Sequence, residues 1–524
     1  MPNTRRSFLK HASLASFSLW LPSTHALGTA NKLARSTPDS QGVSATGILD
    51  FLEAIAREKF ELHSFMMLRH GQVIAEGWWD PYGPDLVHTM YSMSKSFTST
   101  AVGFAVAEGK LSVEDKVVSF FPNDLPEKVS ENLAAMRVKD LLTMSTGNEK
   151  EPTQVCVKSE NWARTFLAQA IAHKPGTQFM YNSAATYMCS AIVQKVTGQT
   201  VLDYLTPRLF EPLGISGMKW ESCPLGINTG GWGLSIQTEG LAKFGQLLLQ
   251  KGKWNDKQII PAVWVDEATR FHIQQPGGDK PDRLKSNNDW LQGYGYQFWR
   301  CPGTAFRGDG AFGQFTIVLP EQDAVIVMTS ENKNMQGQLD LVWKHLLPAI
   351  DGKGGGASAD LTKRLSSLKL LPPSGKSTSP LADRVIGKTI VLEPNELGFT
   401  KASLSFAKIH CTFTAETADG SHTIPCTLEN AWQLSEATMP GTPPRLISGG
   451  KPKQPVKSKI AAHATWTDDN TLLLTWRYYE TPHSDTLTCH FEGDTVTLTF
   501  LNSITAMNPQ AKDARAPLKG KIVG

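Results

Sequence analysis

The stretch TMYSMSKSFTSTAVGFAVAEGKL, from Thr89 to Leu111, decides how this sequence is interpreted. Several serines and one lysine of this stretch lie in the first turns of a predicted helix that ends near Gly109. A serine at a helix N-terminus lies beside free N–H groups and the positive end of the helix dipole. A lysine three residues later lies on the same face, and burial that lowers its pKa lets it accept the serine proton. We therefore predict Ser92 as a nucleophile and Lys95 as its base, the alternative being an ordinary helix start capped by Thr89 or Ser92.

The S-x-x-K motif is weak by itself, because it occurs repeatedly in this chain. The matches begin at Ser7, Ser92, Ser216, Ser330, Ser366, Ser405 and Ser448. Only the match at Ser92 is followed by an apolar helix of small residues that could bury the lysine. We interpret Ser94 and Ser96 as ordinary first-turn residues of the same helix.

A second proton carrier is predicted at Tyr181. Of the nine tyrosines, it is the one followed two positions later by Ser or Asn, in PGTQFMYNSAATYMCSAIVQKVTG. The Pro-Gly turn and the helix that follows place Tyr181 in a loop at a helix N-terminus. A buried loop tyrosine with a satisfied hydroxyl is the alternative.

From about residue 36 to 350 the sequence resembles the serine β-lactamase-related hydrolases. These include class C β-lactamases, D-alanyl-D-alanine carboxypeptidases, related esterases and 6-aminohexanoate-oligomer hydrolases. The resemblance rests on the order and spacing of YSMSKSFTSTAVGFAVAEGKLSVEDKV, RVKDLLTMSTG, PGTQFMYNSAATY, LFEPLGISGMKW and GGWGLSIQTEGLAKFGQLLLQKG. It implies that Ser92 is acylated, that Lys95 and Tyr181 manage its proton, and that a strand with a K-T-G-like motif borders the site.

The sequence departs from the family's pattern in two places. The second motif is Tyr-Asn-Ser, whereas class C β-lactamases have Tyr-x-Asn, so Ser183 occupies the position of their amide-binding asparagine. The K-T-G motif is missing, and FRGDGAFGQFTIVLP takes its place, with Gly308-Asp309-Gly310 as the best register and Arg307 as a candidate substitute cation. Both differences weaken the case for penicillin recognition and look closer to the 6-aminohexanoate-oligomer hydrolases.

The glycine strand can support catalysis without a lysine, because glycines let the backbone approach a substrate closely. A backbone N–H near Gly310 and Ala311, together with that of Ser92, is predicted to form an oxyanion hole. Asp309 is predicted to contact a substrate amine or to cap the strand end. Trp232 is predicted to wall the substrate cleft or to lie in the core. A plain turn or bulge is the alternative for the Gly-Asp-Gly segment.

The composition is that of a globular protein. The chain has 524 residues, of which 40% are hydrophobic and 19% charged, and its length allows two or three domains. Residues 1–26 carry Arg5, Arg6 and Lys10 ahead of a short apolar stretch and small residues, which is the order of an export signal of the twin-arginine type. Removing them leaves a formal charge of zero, so we expect no nucleic-acid partner. We expect a bacterial periplasmic or extracellular protein without stable membrane insertion.

The order of apolar patterns predicts an α/β (α+β) fold in several parts. Within 36–350, a helix and a hairpin precede a helical block, and strands and a terminal helix follow it. This order predicts a β-lactamase/transpeptidase-like antiparallel sheet with strands from both chain ends, flanking helices and a helical subdomain. Residues 351–380 are predicted as a Gly/Ser/Pro-rich linker, and residues 381–524 as an all-β domain, either a barrel or a sandwich.

Other residue types that bind metals or form cross-links give weaker signals. His63, His70 and His88 lack metal-like spacing and are predicted at the surface or at element ends, so we expect no metal site and no cofactor. No C-x-x-C motif occurs among the seven cysteines. Cys411 and Cys426 could pair across a hairpin, although buried free thiols are the favoured interpretation.

Together these features predict an exported serine hydrolase that cleaves an amide or ester bond in a small-molecule or peptide-like substrate. Two other interpretations remain open at this point. One is a binding or sensor protein that keeps the fold with little turnover, and the other is a true β-lactamase.

Overall fold

The computed structural model describes residues 32–276, 288–352, 355–447, 456–508 and 510–523. From Leu33 onward the chain forms one compact unit. The predicted export signal, residues 1–26, lies outside the described residues. Within the described ranges, no helix combines the length and the apolar character needed to cross a membrane.

Strands and helices are numbered in chain order within the described ranges. The strands are β1 (Leu62–Arg69), β2 (Gln72–Trp78), β3 (Val87–Thr89), β4 (Lys219–Trp220), β5 (Leu234–Gln237), β6 (Lys253–Trp254), β7 (Lys257–Gln258), β8 (Trp299–Arg300), β9 (Phe306–Gly310), β10 (Gln314–Leu319), β11 (Ala324–Ser330), β12 (Thr389–Leu392), β13 (Lys401–Ala407), β14 (His410–Thr417), β15 (Gly420–Thr427), β16 (Gln433–Ala437), β17 (Ser458–Asp468), β18 (Thr471–Tyr478), β19 (Ser484–Glu492), β20 (Thr495–Asn502) and β21 (Leu518–Val523). The α-helices are α1 (Ala45–Arg57), α2 (Ser94–Ala107), α3 (Glu131–Ala135), α4 (Val138–Leu142), α5 (Thr153–Cys156), α6 (Trp162–Leu167), α7 (Ser183–Thr197), α8 (Val201–Leu205), α9 (Thr238–Leu249), α10 (Ala262–Thr269), α11 (Met335–Leu341), α12 (Leu347–Asp351), α13 (Ser358–Ser366), α14 (Ala382–Val385) and α15 (Ser503–Ala506). Short 3-10 turns span Asp39–Gln41, Tyr91–Met93, Val117–Phe120 and Asp289–Leu291, and π-helical turns span Thr206–Phe210 and Val342–Leu346.

The central sheet is antiparallel, with the strand order β2-β1-β11-β10-β9-β8. The predicted hairpin is formed by β1 and β2, which pair directly. Strands from both ends of the first part of the chain meet where β1 pairs with β11, as predicted. Helices cover both faces of the sheet, so β10 and β11 are buried throughout and carry nearly continuous apolar runs.

The two faces of the sheet belong to two separate cores. Along β1, Phe65 and Met67 join the core formed with α1 and α11. Met66 and Leu68 join the core that contains α2 and α9. Successive side chains of a strand point to opposite faces, so one apolar strand supplies both cores.

Helix α2 is enclosed by its neighbours along most of its length. All of its residues from Ser94 to Ala105 are buried, and it packs against α7 and α8. At Gly103 the helix lies so close to α10 that a β-carbon would come within 2.4 Å of the Trp264 indole nitrogen. The small residues of the SKSFTSTAVGFA segment therefore allow neighbours to pack on every side of this helix.

Strands β12 to β21 form an all-β unit that closes as a barrel. Their order is β15-β14-β13-β12-β21-β20-β19-β18-β17, β15 also meets β17, and β16 is added beside β17. Inward and outward residues alternate along β14 and β20, as a closed barrel with a filled interior requires. Of the two predicted forms, barrel and sandwich, the structure has the barrel.

The seven cysteines are buried free thiols. Cys411 and Cys426 are opposite each other in the register of β14 and β15, where both side chains face the barrel interior. They pack there as small apolar groups, in agreement with the favoured interpretation.

The barrel contacts the first part of the chain beside β3. Nη1 of Arg477, in β18, lies 2.6 Å from Oε1 of Glu61, and the Thr89 N–H donates to the carbonyl of Glu480 at 3.1 Å. The segment predicted as a linker holds α13, which packs against α1 and β2. The barrel is therefore placed next to the residues that lead into Ser92.

We predict that Gly103→Ala lowers the stability of the fold. The added β-carbon would lie 2.4–2.6 Å from three atoms of the Trp264 indole. Such overpacking costs about 1–3 kcal/mol, whereas alanine gains only roughly 0.5–1 kcal/mol over glycine in a helix. The measurement is the apparent melting temperature by circular dichroism. Gly83→Ala is the matched control, because its nearest neighbour would be Leu86 Cδ1 at 3.8 Å, and equal melting temperatures for the two variants would contradict the prediction.

Candidate active site

Ser92 lies in the 3-10 turn Tyr91–Met93 that joins β3 to α2, and its side chain is partly exposed. The backbone of Tyr91 is left-handed, with a φ of 47°. The Ser94 hydroxyl fixes this turn by donating to the carbonyl of Tyr91 at 2.6 Å. The N-cap residue of α2 is Met93, which makes no side-chain capping bond. The alternative in which Thr89 or Ser92 caps the helix is therefore wrong.

Lys95 reaches back along α2 to the Ser92 side chain. Its Nζ lies 3.0 Å from Ser92 Oγ, 3.1 Å from Ser183 Oγ and 2.6 Å from the carbonyl oxygen of Gly231. Lys95 is 1% exposed, and this burial lowers its pKa to about 7, although the Glu151 carboxylate acts in the opposite direction. A lysine in this position can be neutral near physiological pH and can accept a proton.

Two loops from other parts of the chain complete the surroundings of Lys95. Ser183 begins α7, and its N–H donates to Oε1 of Glu151 at 3.1 Å. Gly231 lies against this helix start, where a β-carbon would come within 2.7 Å of the Ser183 carbonyl oxygen. The sequence does not predict Gly231 and Glu151 as neighbours of Lys95. The Gly-Gly pair before Trp232 is the one signal of a close backbone approach.

Tyr181 lies beside Lys95, on the loop before α7. Lys95 Nζ is 4.8 Å from the centre of the tyrosine ring, and the other side of the site is closed by Trp299, whose ring stacks on Tyr181 at 5.6 Å. Burial raises the pKa of Tyr181, while a hydrogen bond with the Ser92 side chain lowers it. The three residues predicted as catalytic are therefore brought together.

Strand β9 packs edge-on against the turn that carries Ser92. A β-carbon on Gly308 would lie 2.3 Å from Met93 Sδ, and one on Gly310 would lie 2.0 Å from the Met90 carbonyl oxygen. Gly310 requires glycine because the strand meets the backbone of the turn there, whereas a side chain at Gly308 would have to displace the end of the buried Met93 side chain. Ala311 follows at the end of the strand, in the tight turn to β10. The Gly-Asp-Gly segment is thus a strand bordering Ser92, and the turn-or-bulge alternative is wrong.

Arg307 and Asp309 form an ion pair inside the protein. Arg307 Nε lies 2.9 Å from Asp309 Oδ1, and the two side chains are 0% and 5% exposed. Burial raises the pKa of Asp309 to about 6, against the opposing effect of Arg307. Each side chain is buried and faces the other. A role for Arg307 as a substitute cation and a contact of Asp309 with a substrate amine stay predictions.

Trp232 is buried and stacks on Trp162, with the ring centroids 5.7 Å apart. It also borders a cleft of about 810 Å³ between the helical subdomain and the barrel. Glu221 and Arg445 face each other across this cleft, with Arg445 Nη1 3.6 Å from Glu221 Oε2. A role for Trp232 in walling a substrate cleft stays a prediction.

A buried chain of polar residues connects the first part of the fold to the barrel. His63 Nδ1 lies 2.9 Å from His88 Nε2, and His63 Nε2 lies 3.0 Å from Oε1 of Glu61, the partner of Arg477. Burial lowers the pKa of both histidines. Of the two predicted locations, the surface is wrong for His63 and His88, which are buried near the ends of β1 and β3. His70 is exposed in the β1–β2 turn. In the described part of the chain, no group of three or more His, Cys, Asp or Glu side chains is arranged to hold a metal ion.

Comparison with known proteins gives one family match. The family model described as Beta-lactamase matches residues 56–346, more than half of the chain and all of the segment that holds Ser92, Lys95 and Tyr181.

Individual relatives are distant. A 6-aminohexanoate-dimer hydrolase of Paenarthrobacter ureafaciens is 25% identical over 288 residues, which is 51% of this chain and 72% of that protein. Protein flp of Staphylococcus aureus is 26% identical over 136 residues, which is 25% of this chain and 27% of that protein. The chain therefore spans under a third of the second relative. Among solved structures, an octameric penicillin-binding protein homologue from Pyrococcus abyssi aligns with a TM-score of 0.46 and 15% identity over 90% of this chain and 99% of that one.

We predict that Asp309→Asn destabilises the protein. The change leaves the Arg307 charge buried without its carboxylate, which costs about 3–5 kcal/mol. The measurement is the apparent melting temperature. Glu436→Gln is the matched control, because Glu436 pairs at the surface with Lys457, the two closest atoms lying 2.7 Å apart, and we expect its loss to leave the melting temperature unchanged. A variant of Asp309 with an unchanged melting temperature and a raised KM would instead favour a substrate contact.

Proposed function

Because the chain belongs to the beta-lactamase family of serine hydrolases, we propose that it hydrolyses an amide or ester bond through an acyl-enzyme on Ser92. One observation carries the proposal. Lys95 Nζ lies 3.0 Å from Ser92 Oγ, and burial lowers the pKa of that lysine to about 7. A serine hydroxyl beside a neutral amine at a helix N-terminus is an activated nucleophile.

Acylation begins when Ser92 Oγ attacks the carbonyl carbon of the substrate. The bond between Oγ and this carbon forms while neutral Lys95 accepts the hydroxyl proton, and the carbonyl electron pair moves onto its oxygen. The backbone N–H groups of Ser92 and Ala311 donate to this oxyanion. Removal of a single donor of this kind typically lowers the rate by a factor of about 10²–10³.

The tetrahedral intermediate then collapses with Tyr181 as the proton carrier. The oxyanion electron pair re-forms the carbonyl, the bond to the leaving nitrogen or oxygen breaks, and the Tyr181 phenol protonates that atom while Lys95 returns a proton to the phenolate. The raised pKa of Tyr181 keeps the phenol protonated between steps. A water molecule then attacks the acyl carbon, gives its proton to the same groups, and releases the acid with Ser92 regenerated.

The site supports an amide or ester in a small or peptide-like molecule better than it supports a penicillin. Strand β9 has no lysine at the K-T-G position, and its arginine, Arg307, is held inside the protein by Asp309. A substrate carboxylate next to the scissile bond would therefore lack a cation from this strand. The name of the 6-aminohexanoate-dimer hydrolase among the relatives is in line with an amide substrate.

The proposed enzyme acts outside the cytoplasm. The support for this is Arg5 and Arg6 ahead of an apolar stretch. The test measures how much of the protein is in the periplasmic and in the cytoplasmic fraction of a bacterium that expresses the whole chain. The same measurement is made for the Arg5→Lys, Arg6→Lys variant, which should shift the protein to the cytoplasmic fraction.

We predict that a fluorophosphonate probe labels the protein at Ser92. Ser92→Ala should abolish both the labelling and the hydrolysis of p-nitrophenyl esters, because the nucleophilic oxygen is removed. Ser216→Ala is the matched control, since Ser216 is an exposed serine within another S-x-x-K match, and it should be labelled as the wild type is. Equal labelling of wild type and Ser92→Ala would contradict the proposal, and rapid hydrolysis of nitrocefin would replace it with a β-lactamase.

We predict that kcat/KM rises with pH through about 7. Lys95 must be neutral to accept the serine proton, and the neutral fraction grows as the pH rises through its lowered pKa of about 7. The measurement is the pH profile of kcat/KM between pH 5.5 and 9. Lys95→Arg, whose guanidinium stays protonated, should be inactive at every pH, whereas Lys369→Arg in another S-x-x-K match should keep the wild-type profile. A flat wild-type profile would exclude Lys95 as the base.

A further inference from the structure

One histidine of the barrel, His483, lies within the first part of the fold, close to the proposed nucleophile Ser92. His483 ends the connection between β18 and β19 and is fully buried. Its Nε2 makes a hydrogen bond with the hydroxyl of Tyr91, the residue before Ser92. The two residues are 392 positions apart in the sequence, so no sequence motif linked them.

His483 is itself held in one orientation from its other side. Its Nδ1 lies 2.5 Å from Oε1 of Glu331, which follows β11, and the Ser503 hydroxyl donates to the same oxygen at 2.5 Å. A carboxylate accepts hydrogen bonds, so Nδ1 carries the hydrogen in this pair. In the neutral ring, Nε2 is then left to accept the Tyr91 O–H.

The histidine ring also contacts the turn that follows strand β9. Phe312 packs edge-on against His483 with the ring centroids 4.9 Å apart, and edge-on against Tyr91 at 5.5 Å. Phe312 directly follows Ala311. The rings of His483, Tyr91 and Phe312 therefore form one cluster. It includes the residue before Ser92 and the residue after Ala311.

Both of these neighbours have a backbone conformation that side chains disfavour. Tyr91 has a φ of 47° and Phe312 a φ of 68°. A left-handed conformation is unfavourable for a residue with a β-carbon, and it persists only where the surroundings hold it. The contacts of Tyr91 and Phe312 with His483 are contacts of that kind.

We propose that His483 is a positioning residue for the oxyanion hole. By fixing Tyr91 and Phe312 together, it sets the directions of the adjacent N–H groups of Ser92 and Ala311, and Glu331 orients the ring that does so. This inference rests on the proposed function, because it assigns the barrel a part in the same reaction. The barrel is then a component of the catalytic unit.

The test compares His483→Ala, His483→Gln and Tyr91→Phe with the wild type in the full-length protein. With a p-nitrophenyl ester we expect kcat to fall about 10–100-fold in His483→Ala, with KM changed less than threefold. This is less than the roughly 10²–10³ for a lost oxyanion donor, because the donors are misdirected and not removed. Tyr91→Phe should fall similarly, because it deletes the same hydrogen bond. The double variant His483→Ala, Tyr91→Phe should have a kcat no lower than that of the slower single variant, since both changes remove the same hydrogen bond. His483→Gln should recover part of the loss, because its amide can still bond to Tyr91.

The inhibition constant of phenylboronic acid supplies a readout that a purely structural role would not move. Its adduct places a negatively charged oxygen in the oxyanion hole, so the constant should rise in parallel with the loss of kcat/KM. His490→Ala is the matched control, because His490 is an exposed histidine of the same barrel, and it should behave as the wild type does.

The outcomes separate this inference from the proposed function. Wild-type kcat and boronate affinity in Tyr91→Phe and His483→Gln would overturn the inference, even where His483→Ala melts early. A fall in melting temperature with unchanged kcat would overturn it as well. Failure of the probe to distinguish wild type from Ser92→Ala would instead overturn the proposed function and this inference with it.

Discussion

Burial of the Lys95 amine is the constraint around which the site is built. An ammonium group loses its hydration when it enters a protein interior, so burial favours the neutral form. Here three oxygen atoms replace water around Nζ, from Ser92, Ser183 and Gly231. Each comes from a different segment, and all three must converge on one nitrogen. The enclosure of α2 on every side follows from this requirement, because a lysine on an exposed helix face would keep its water and its charge.

Close approach of backbones is the second requirement, and glycine meets it at three positions. Gly231 brings a carbonyl oxygen to Lys95, while Gly308 and Gly310 let β9 lie against the turn that holds Ser92. A β-carbon would collide with backbone at Gly231 and Gly310, and with the buried Met93 side chain at Gly308. This explains how the strand can border the site without a K-T-G lysine. Its polar side chains turn inward as the Arg307–Asp309 pair, and its backbone faces the turn.

The sequence predicted correctly those features that are set by residues close together in the chain. The β1–β2 hairpin and the Ser92–Lys95 spacing are set by neighbouring residues, and both were predicted. The surroundings of His63, His88, Arg307 and Asp309 were not, because a polar residue's burial depends on partners that tertiary packing supplies. Glu61 and Arg477 are 416 positions apart. Barrel and sandwich share the same alternation of inward and outward residues, and only the meeting of β15 with β17 distinguishes them.

The contact between the barrel and the rest of the fold argues that the two act as one body. Contacts between the domains of one chain usually resemble transient protein–protein interfaces, which leave the domains free to move. Here Arg477 is 8% exposed and pairs with Glu61, so separating the two parts would leave a buried charge without its partner, which is costly. The same interface includes Glu480 against Thr89 and His483 against Tyr91. These contacts follow the chain from Glu61 to Tyr91, the residue before Ser92, so the barrel is in direct contact with the turn that carries Ser92.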